Sequence, residues 1–547
     1  MGKSRRDVPI PLQAMPLYLD ALADFRAGRL DAAKAKLAKL RVYAPEWPRT
    51  LLLEAYVQRA EERPLAEIDT LGTLLSRLAL HCLDCWHSGT QAAWDEEARK
   101  LTAEAASLIG AALSRSGRSR DAVQMLALAS HLEVSPDQKL VECSNAIFAA
   151  HYAPDFSPAE FHELHIMYRG LLCDIRPFPR IRYRHPRIRI GYLSADCCRH
   201  SVAHFLMPLL LHHDRSRFAV YVYAANAKCD AVTRQMQDAA DAWRDISSLS
   251  DEAAARQMRS DELDILFDLG GHSRNTRLPI LAYRPAAWQF SGIGYMGSSG
   301  MHTVDYFLSD RYCAAGTDNA ASFTEQLAIL PRSHFCYMPF APFPAVRHLP
   351  LQKSEAASRP IVFGCFNNFS KVTDEMLGIW AEILCRVPSS RLLLKHRAFQ
   401  SDEGRSDALR RCETAGISAN RIELRGLSAG YLAEYNDMDI ALDTYPYTGG
   451  LTTIEALLMG VPVITRYGER HGTRFGLSLL ANAGLSELAA ATPEDYIDRA
   501  VALASDTALL GLLHERLRQM VESSPLMDGK GYAADIEKIY RQIMEST

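Results

Sequence analysis

Tyr445–Thr465 reads YPYTGGLTTIEALLMGVPVIT, and Asp439–Asp443 just before it reads DIALD. A short apolar run leads into a loop with Gly449 and Gly450. An apolar segment follows, closed by Gly460 and Pro462, and then a second β-branched run, VPVIT. Strand, loop, helix and strand in that order make one unit of a parallel sheet. Two glycines let a ligand come close to the backbone. Free N–H groups at the helix start, with the hydroxyls of Thr452 and Thr453, suit a diphosphate. Glu455, in the first turn, is placed to accept hydrogen bonds from ribose hydroxyls. A capped helix with no ligand uses the same residue types, so the loop alone leaves both readings open.

The same grammar extends in both directions. Upstream in the same half come IVFGCFNNF, RLLLKH and RIELRG. Before them is a Pro-rich break from Tyr337 to Pro360, and before that IRIGYLSAD, FAVYVYA, DILFDLGG, WQFSGIGY and DYFLSD. Short β-rich runs alternating with helical stretches predict parallel sheets covered by helices. Two such halves, joined by a linker, place a ligand cleft at the carboxyl ends of their strands. Up to about residue 165 the chain is helical in pattern. LYLDALADFRAGRLDAAKAKLAKLRVYAPEW has small residues at Ala21 and Ala33, a turn at Gly28 and a stop at Pro45, and a second stretch repeats this with Gly117, Ala122 and Pro136. The offsets resemble tetratricopeptide units, here two and imperfect. The expected division is an all-helical tetratricopeptide-like domain over 1–165, one Rossmann-like half over 166–345, a second over 346–525, and a C-terminal helix over 526–547.

A chain of 547 residues exceeds one core, and 48% hydrophobic with 23% charged residues is a globular composition. The formal net charge of −4 gives no general attraction to nucleic acid or an anionic membrane. A locally basic stretch, Arg176 to Arg189, reads as a solvated connector. The twelve cysteines form no regular framework, which fits reduced thiols and a cytoplasmic protein. The pair Cys82 and Cys85 lacks the partner pair that a structural zinc site needs. No apolar run is long enough to span a bilayer, and the first residues lack a signal-peptide core.

Several residues join the loop as candidates. FNNFSK places Asn367, Asn368 and Lys371 after a strand, where lysine clamps a phosphate as a point charge. GYLSADCCRHSVAH places His200 and His204 just past the first strand, and a histidine there can take a hydroxyl proton. His272, in DLGGHSRNTR, also follows a strand end and is read as a cleft residue. Two motifs are decoys. Gly292, Gly294 and Gly297 match GxGxxG, but no long apolar helix follows. Asp437 and Asp439 mimic a metal-binding pair at a strand entry, and no metal is expected there.

Taken in order, RIGYLSAD with His200, ILFDLGGHSRNTRLPILAYRP, FNNFSK, DIALDTYPYTGGLTT and SSPLMDGKGYAADIEKIY resemble the O-GlcNAc transferase and SPINDLY-like family. The resemblance runs from Arg187 to the C-terminus. It implies a GT-B fold and inverting transfer from a UDP-sugar, with GlcNAc as the sugar, to Ser or Thr of a protein or peptide, needing neither metal nor cofactor. By position, His200 matches the family histidine argued to be a base or organiser. Asn368 stands where the family often has Gln beside the diphosphate, and Lys371 matches the phosphate-binding lysine. Thr452 matches a diphosphate-binding threonine, and Glu455 an acid that holds the ribose. Tyr431 stands where a histidine commonly stacks on uracil, while Ser428 and Leu451 replace a lysine and a threonine. The substrate-binding set is therefore Asn368, Lys371, Tyr431, Gly450, Thr452, Thr453, Glu455 and His272, with His200 and Lys371 as the catalytic pair. Alternatives are an N-glycosyltransferase using UDP-glucose on Asn, a UDP-sugar epimerase, and an inactive helical-repeat binding protein.

Overall fold

The computed structural model describes residues 14–87, 96–316, 322–346 and 360–545, with only the backbone for 80–87. The side chains of Cys82 and Cys85 therefore lie outside the described residues. Two compact units divide the chain. One comprises the residues up to Ala149 with Ala398–Arg410, and the other comprises Ala150–Arg397 with Arg411 onward.

In the first unit the helices are Ala14–Arg26, Leu30–Tyr43, Pro48–Ala60, Pro64–His87, Glu96–Arg115, Ser119–Leu132 and Pro136–Ala150. The small residues sit where close helix crossings need them. Ala21, Ala33 and Ala122 are fully buried. Gly28 and Gly117 make the turns with φ of 74° and 79°, a region that costs glycine nothing. Pro136 opens a helix rather than closing one, since its missing N–H is no loss at a first helical position.

The second unit opens with the helix Pro158–Gly170, held by a capping box in which the Ser157 side chain accepts from Glu160 N and Glu160 answers to Ser157 N. The arginine-rich segment that follows is extended and mostly exposed, with Arg180 over the Trp288 ring at 4.1 Å and Arg187 paired to Asp241 at 3.1 Å. Then come β1 (Ile188–Ser194), β2 (Phe218–Ala224), β3 (Ala242–Asp245), β4 (Ile265–Asp268), β5 (Trp288–Ser291), β6 (Tyr306–Asp310) and β7 (Gln326–Leu330). They form one seven-stranded sheet in the order β3-β2-β1-β4-β5-β6-β7, parallel throughout. Its aromatic filling, Tyr192, Phe267, Phe290 and Phe307, is fully buried, which explains why these strands read as continuous apolar runs.

The second sheet holds β8 (Val362–Cys365), β9 (Arg391–Lys395), β10 (Ile422–Arg425), β11 (Ile440–Leu442), β12 (Val463–Arg466) and β13 (Ala489–Ala490). Its order is β10-β9-β8-β11-β12-β13, again parallel. Both sheets reverse direction once, between β1 and β4 in the first and between β8 and β11 in the second. In open parallel sheets ligands bind outside the strand ends at that reversal. The C-terminal helix Gly529–Glu545 returns to the first half, where Glu537 accepts from Asp214 N at 2.8 Å and meets His213 Nδ1 at 2.9 Å.

Candidate functional site

The reversal in the second sheet brings together the loop after β8 and the loop after β11. Asp443, at the end of β11, organises both. Its carboxylate accepts from Gly449 N at 2.7 Å, Thr444 N at 2.9 Å, Thr465 Oγ1 at 2.7 Å and Asn367 Nδ2 at 2.9 Å. Asn367 Oδ1 in turn accepts from Thr452 Oγ1 at 2.6 Å. These bonds hold the Gly449–Gly450 turn against the helix Leu451–Leu458. A side chain at 449 is excluded, because its Cβ would meet Thr453 Oγ1 at 2.5 Å and Thr452 Oγ1 at 2.8 Å. At Gly450 an added Cβ meets nothing within 4 Å, so the turn is closed behind and open in front. Thr453 is buried and Thr452 half-buried.

Lys371 closes the other side. Its Nζ lies 3.6 Å from the centre of the Tyr447 ring and 3.4 Å from Thr448 O. Burial pushes its ammonium down to about 8, with Asp443 opposing the shift. A partly buried cation beside free helix N–H groups is chemically an anion site. Asn368 is exposed and caps the next turn by accepting from Ser370 N at 3.1 Å. The amide built into the loop is that of Asn367, its neighbour.

Glu455, one turn into the helix, is 2% exposed and accepts from Tyr431 Oη at 2.6 Å. Burial pushes its carboxyl up to about 7. The folded chain thus keeps a proton that an unfolded glutamate releases near pH 4.3. Stability from this group is therefore lost as pH rises from about 4.5 to 7, by up to about 3 kcal/mol. Glu455→Gln is expected to flatten that loss, read as the difference in denaturation midpoint between mutant and wild type across pH 5 to 8. A difference that does not change with pH would show that Glu455 titrates normally. Beside it, Ser428 donates to Glu434, whose carboxylate also receives Lys395 Nζ at 2.9 Å and Arg425 at 3.4 Å.

In the first half, His200 caps the helix Ser201–His212. Its Nδ1 is 3.4 Å from Val202 N and 3.4 Å from Asp196 Oδ2, and its side chain is 47% exposed. Val202 N donates to Nδ1, whereas Asp196 selects the tautomer with the proton on Nδ1, and in that tautomer Nε2 carries the lone pair that takes a hydroxyl proton. His204 is structural in its contacts. Its Nδ1 meets Met338 O at 2.8 Å and its ring stacks on Tyr337 at 5.0 Å. His272 is not open to a cleft. It is 1% exposed, its Nε2 lies 2.9 Å from Ser299 O, and Tyr168 and Tyr295 pack against its ring at 4.6 Å and 5.5 Å. Burial pushes its imidazolium down to about 4. Gly271 before it has φ of 50°, and an added Cβ there would meet the Tyr295 ring at 2.4 Å, so the backbone of this turn packs directly on the same tyrosine. The same loop is fixed by Asp268, which accepts from Gly271 N at 2.7 Å and Ser291 Oγ at 3.1 Å.

Both decoy motifs have ordinary roles. Asp437 pairs with Arg425 at 2.6 Å, while Asp439, 2% exposed, accepts from Val362 N at 2.8 Å. The GxGxxG run follows β5 with no helix behind it. Asp443 and Asn367 are the residues whose roles sequence reasoning underrated, although an acid closing a strand before a glycine turn was the available signal.

Two parallel sheets in one chain, with the strand order of each reversing once and a glycine turn leading into a helix at the second reversal, define a GT-B architecture. The profile of glycosyl transferase family 41 matches residues 176–349 and 345–536, and the chain belongs to that family. A probable UDP-N-acetylglucosamine–peptide N-acetylglucosaminyltransferase SPINDLY of Arabidopsis thaliana is 38% identical over 364 residues, covering 65% of this chain and 39% of that protein. The protein of the same name from Petunia hybrida is 34% identical over 424 residues, covering 75% and 45%. This chain thus spans less than half the length of those relatives. Among solved structures, a mutant O-GlcNAc transferase of Thermobaculum terrenum superposes with a TM-score of 0.79 at 30% identity, over 97% of each chain. Among the described residues no helix is long and apolar enough to cross a membrane.

Proposed function

We propose that this chain transfers N-acetylglucosamine from its UDP conjugate to a Ser or Thr hydroxyl of a protein or peptide, with inversion and without a metal. The observation that carries this is the loop after β11, tied by Asp443 and Asn367 behind and faced by Lys371 at the sheet reversal. The open front of Gly450 and the N–H groups of its helix receive the diphosphate, and Lys371 neutralises the charge that grows on it as it leaves. Glu455 and Tyr431 meet the nucleoside, the carboxylate taking ribose hydroxyls and the ring stacking on the base. The acceptor oxygen bonds to the sugar C1 as the C1–phosphate oxygen bond breaks. The electron pair leaves with UDP, and the hydroxyl proton passes to His200 Nε2. Asp196, 3.4 Å from Nδ1, favours the imidazolium so formed. The ten described cysteines are all free thiols, which supports work in a reducing compartment such as the cytoplasm.

The direct test is incubation with UDP-GlcNAc and a Ser/Thr-rich peptide, followed by mass spectrometry that maps the modified residue. The expected product is a single hexosamine on a hydroxyl side chain. A hexose on Asn from UDP-glucose would instead show an N-glycosyltransferase. Donor binding without any transfer would show a binding protein.

A further inference from the structure

Three side chains distant in sequence meet in the interior. Cys313 follows β6, His334 follows β7, and His471 opens the short turn His471–Arg474 of the second half. All three are buried. One donor atom from each lies within 4.8 Å of the other two. The hydrogen bonds around them settle which atoms those are. His334 Nδ1 lies 2.5 Å from Asp310 Oδ2, which turns the lone pair of Nε2 inward. His471 Nδ1 faces Met296 O at 3.2 Å, an atom that only accepts, so Nδ1 carries the proton and Nε2 the lone pair. That Nε2 is 2.9 Å from Ser309 Oγ.

An imidazole held on a carboxylate and another held on a backbone carbonyl is the outer arrangement of metal-ligating histidines, and a cation displaces the Ser309 hydroxyl from the second nitrogen of His471. The third donor is a thiol, and two imidazoles with one thiolate suit a zinc-type cation. Asp310 itself is fixed, accepting from Ser478 Oγ at 2.7 Å and from Cys313 N at 2.9 Å.

We propose that Cys313 Sγ, His334 Nε2 and His471 Nε2 form a binding site for a zinc-type divalent cation that clasps the two halves of the second unit. A tetrahedral zinc needs sulfur and nitrogen about 3.6 Å apart, so the three side chains close in by about 1 Å. Ser309 Oγ, 2.9 Å from His471 Nε2, is the hydroxyl nearest that nitrogen's lone pair. Binding costs the thiol its proton, which burial and Asp310 hold on more tightly than usual and which Arg474, donating to Tyr312 O at 2.7 Å, opposes only in part. The site shares no donor with the loop after β11, although Thr448 of that loop donates to Gly472 O, next to His471, at 3.2 Å; its occupancy steadies the fold.

Cobalt supplies the test, because a Co²⁺–thiolate bond absorbs strongly in the near ultraviolet. The full chain, stripped with chelator and desalted, is titrated with Co²⁺ and then Zn²⁺. Equimolar Co²⁺ binding with a thiolate band that Zn²⁺ displaces is expected, together with a higher melting temperature. Cys313→Ser is expected to lose the band. A second variant in which Cys82, Cys85, Cys173, Cys229 and Cys385 are all Ser is expected to keep it, which excludes those five thiols should Cys313→Ser not fold. No equimolar binding, binding without the band, a band that survives Cys313→Ser, or a band lost from the five-serine variant would overturn the proposal.

Discussion

Replacing His200 with alanine is expected to cut turnover by about 10²- to 10⁴-fold while UDP affinity stays near that of wild type. The side chain is half-exposed at the end of β1, its Nδ1 is engaged by Asp196 and Val202, and it belongs to the first half, whereas the diphosphate loop belongs to the second. Nothing in its position involves the nucleotide. His204→Ala gives the contrast. Its ring is packed on Tyr337 and Phe340 and bonded to Met338 O, so its loss is expected to lower the melting temperature more than turnover per folded molecule. Measuring UDP affinity, melting temperature and transfer on both variants separates the two roles. Wild-type turnover in His200→Ala, or a fall in UDP affinity that tracks the fall in activity, would assign His200 to the scaffold.

Lys371→Ala is expected to cost about 2–4 kcal/mol in kcat/KM, roughly 30- to 1,000-fold. Its cation is held over Tyr447 and against the carbonyl of Thr448, the residue before the turn. Folding is expected to change little, since the lysine's contacts amount to one long hydrogen bond and a cation–π contact of order 1 kcal/mol. A pH signature accompanies it. Burial places the free ammonium at about 8, so donor affinity is expected to fall as pH rises past that value in wild type and not in Lys371→Ala. A variant with unchanged kcat/KM would make Lys371 a surface cap.

What was legible in the sequence follows from which signals are local. The βαβ alternation gave both sheets, and the Gly449–Gly450 turn with its threonines marked the reversal in the second, because turn chemistry and apolar runs are properties of neighbouring residues. Asn367 and Asn368 show the limit. They are adjacent, and only the direction in which the chain leaves β8 decides that Asn367 enters the loop and Asn368 faces outward. His272 shows another, since the residues that bury it, Tyr168, Tyr295 and Ser299, lie more than twenty positions away in the chain. Asp443 was visible as a strand-end acid, yet two of its four bonds, from Thr465 and Asn367, come from residues 22 and 76 positions away. The cluster of Cys313, His334 and His471 had no signal at all, because its members lie on separate elements of both halves and only the docking of the halves unites them.

The central claim is that the turn at Gly450, with Lys371, is a site for the diphosphate of a uridine nucleotide and needs no metal. Calorimetry of the full chain with UDP, UDP-GlcNAc, UDP-glucose and GDP-fucose, before and after EDTA, tests it most directly. Saturable binding of UDP and UDP-GlcNAc is expected, stronger than that of GDP-fucose, with affinities before and after chelation within about tenfold, or 1.4 kcal/mol. No uridine nucleotide binding, or a loss greater than that with EDTA, would contradict it.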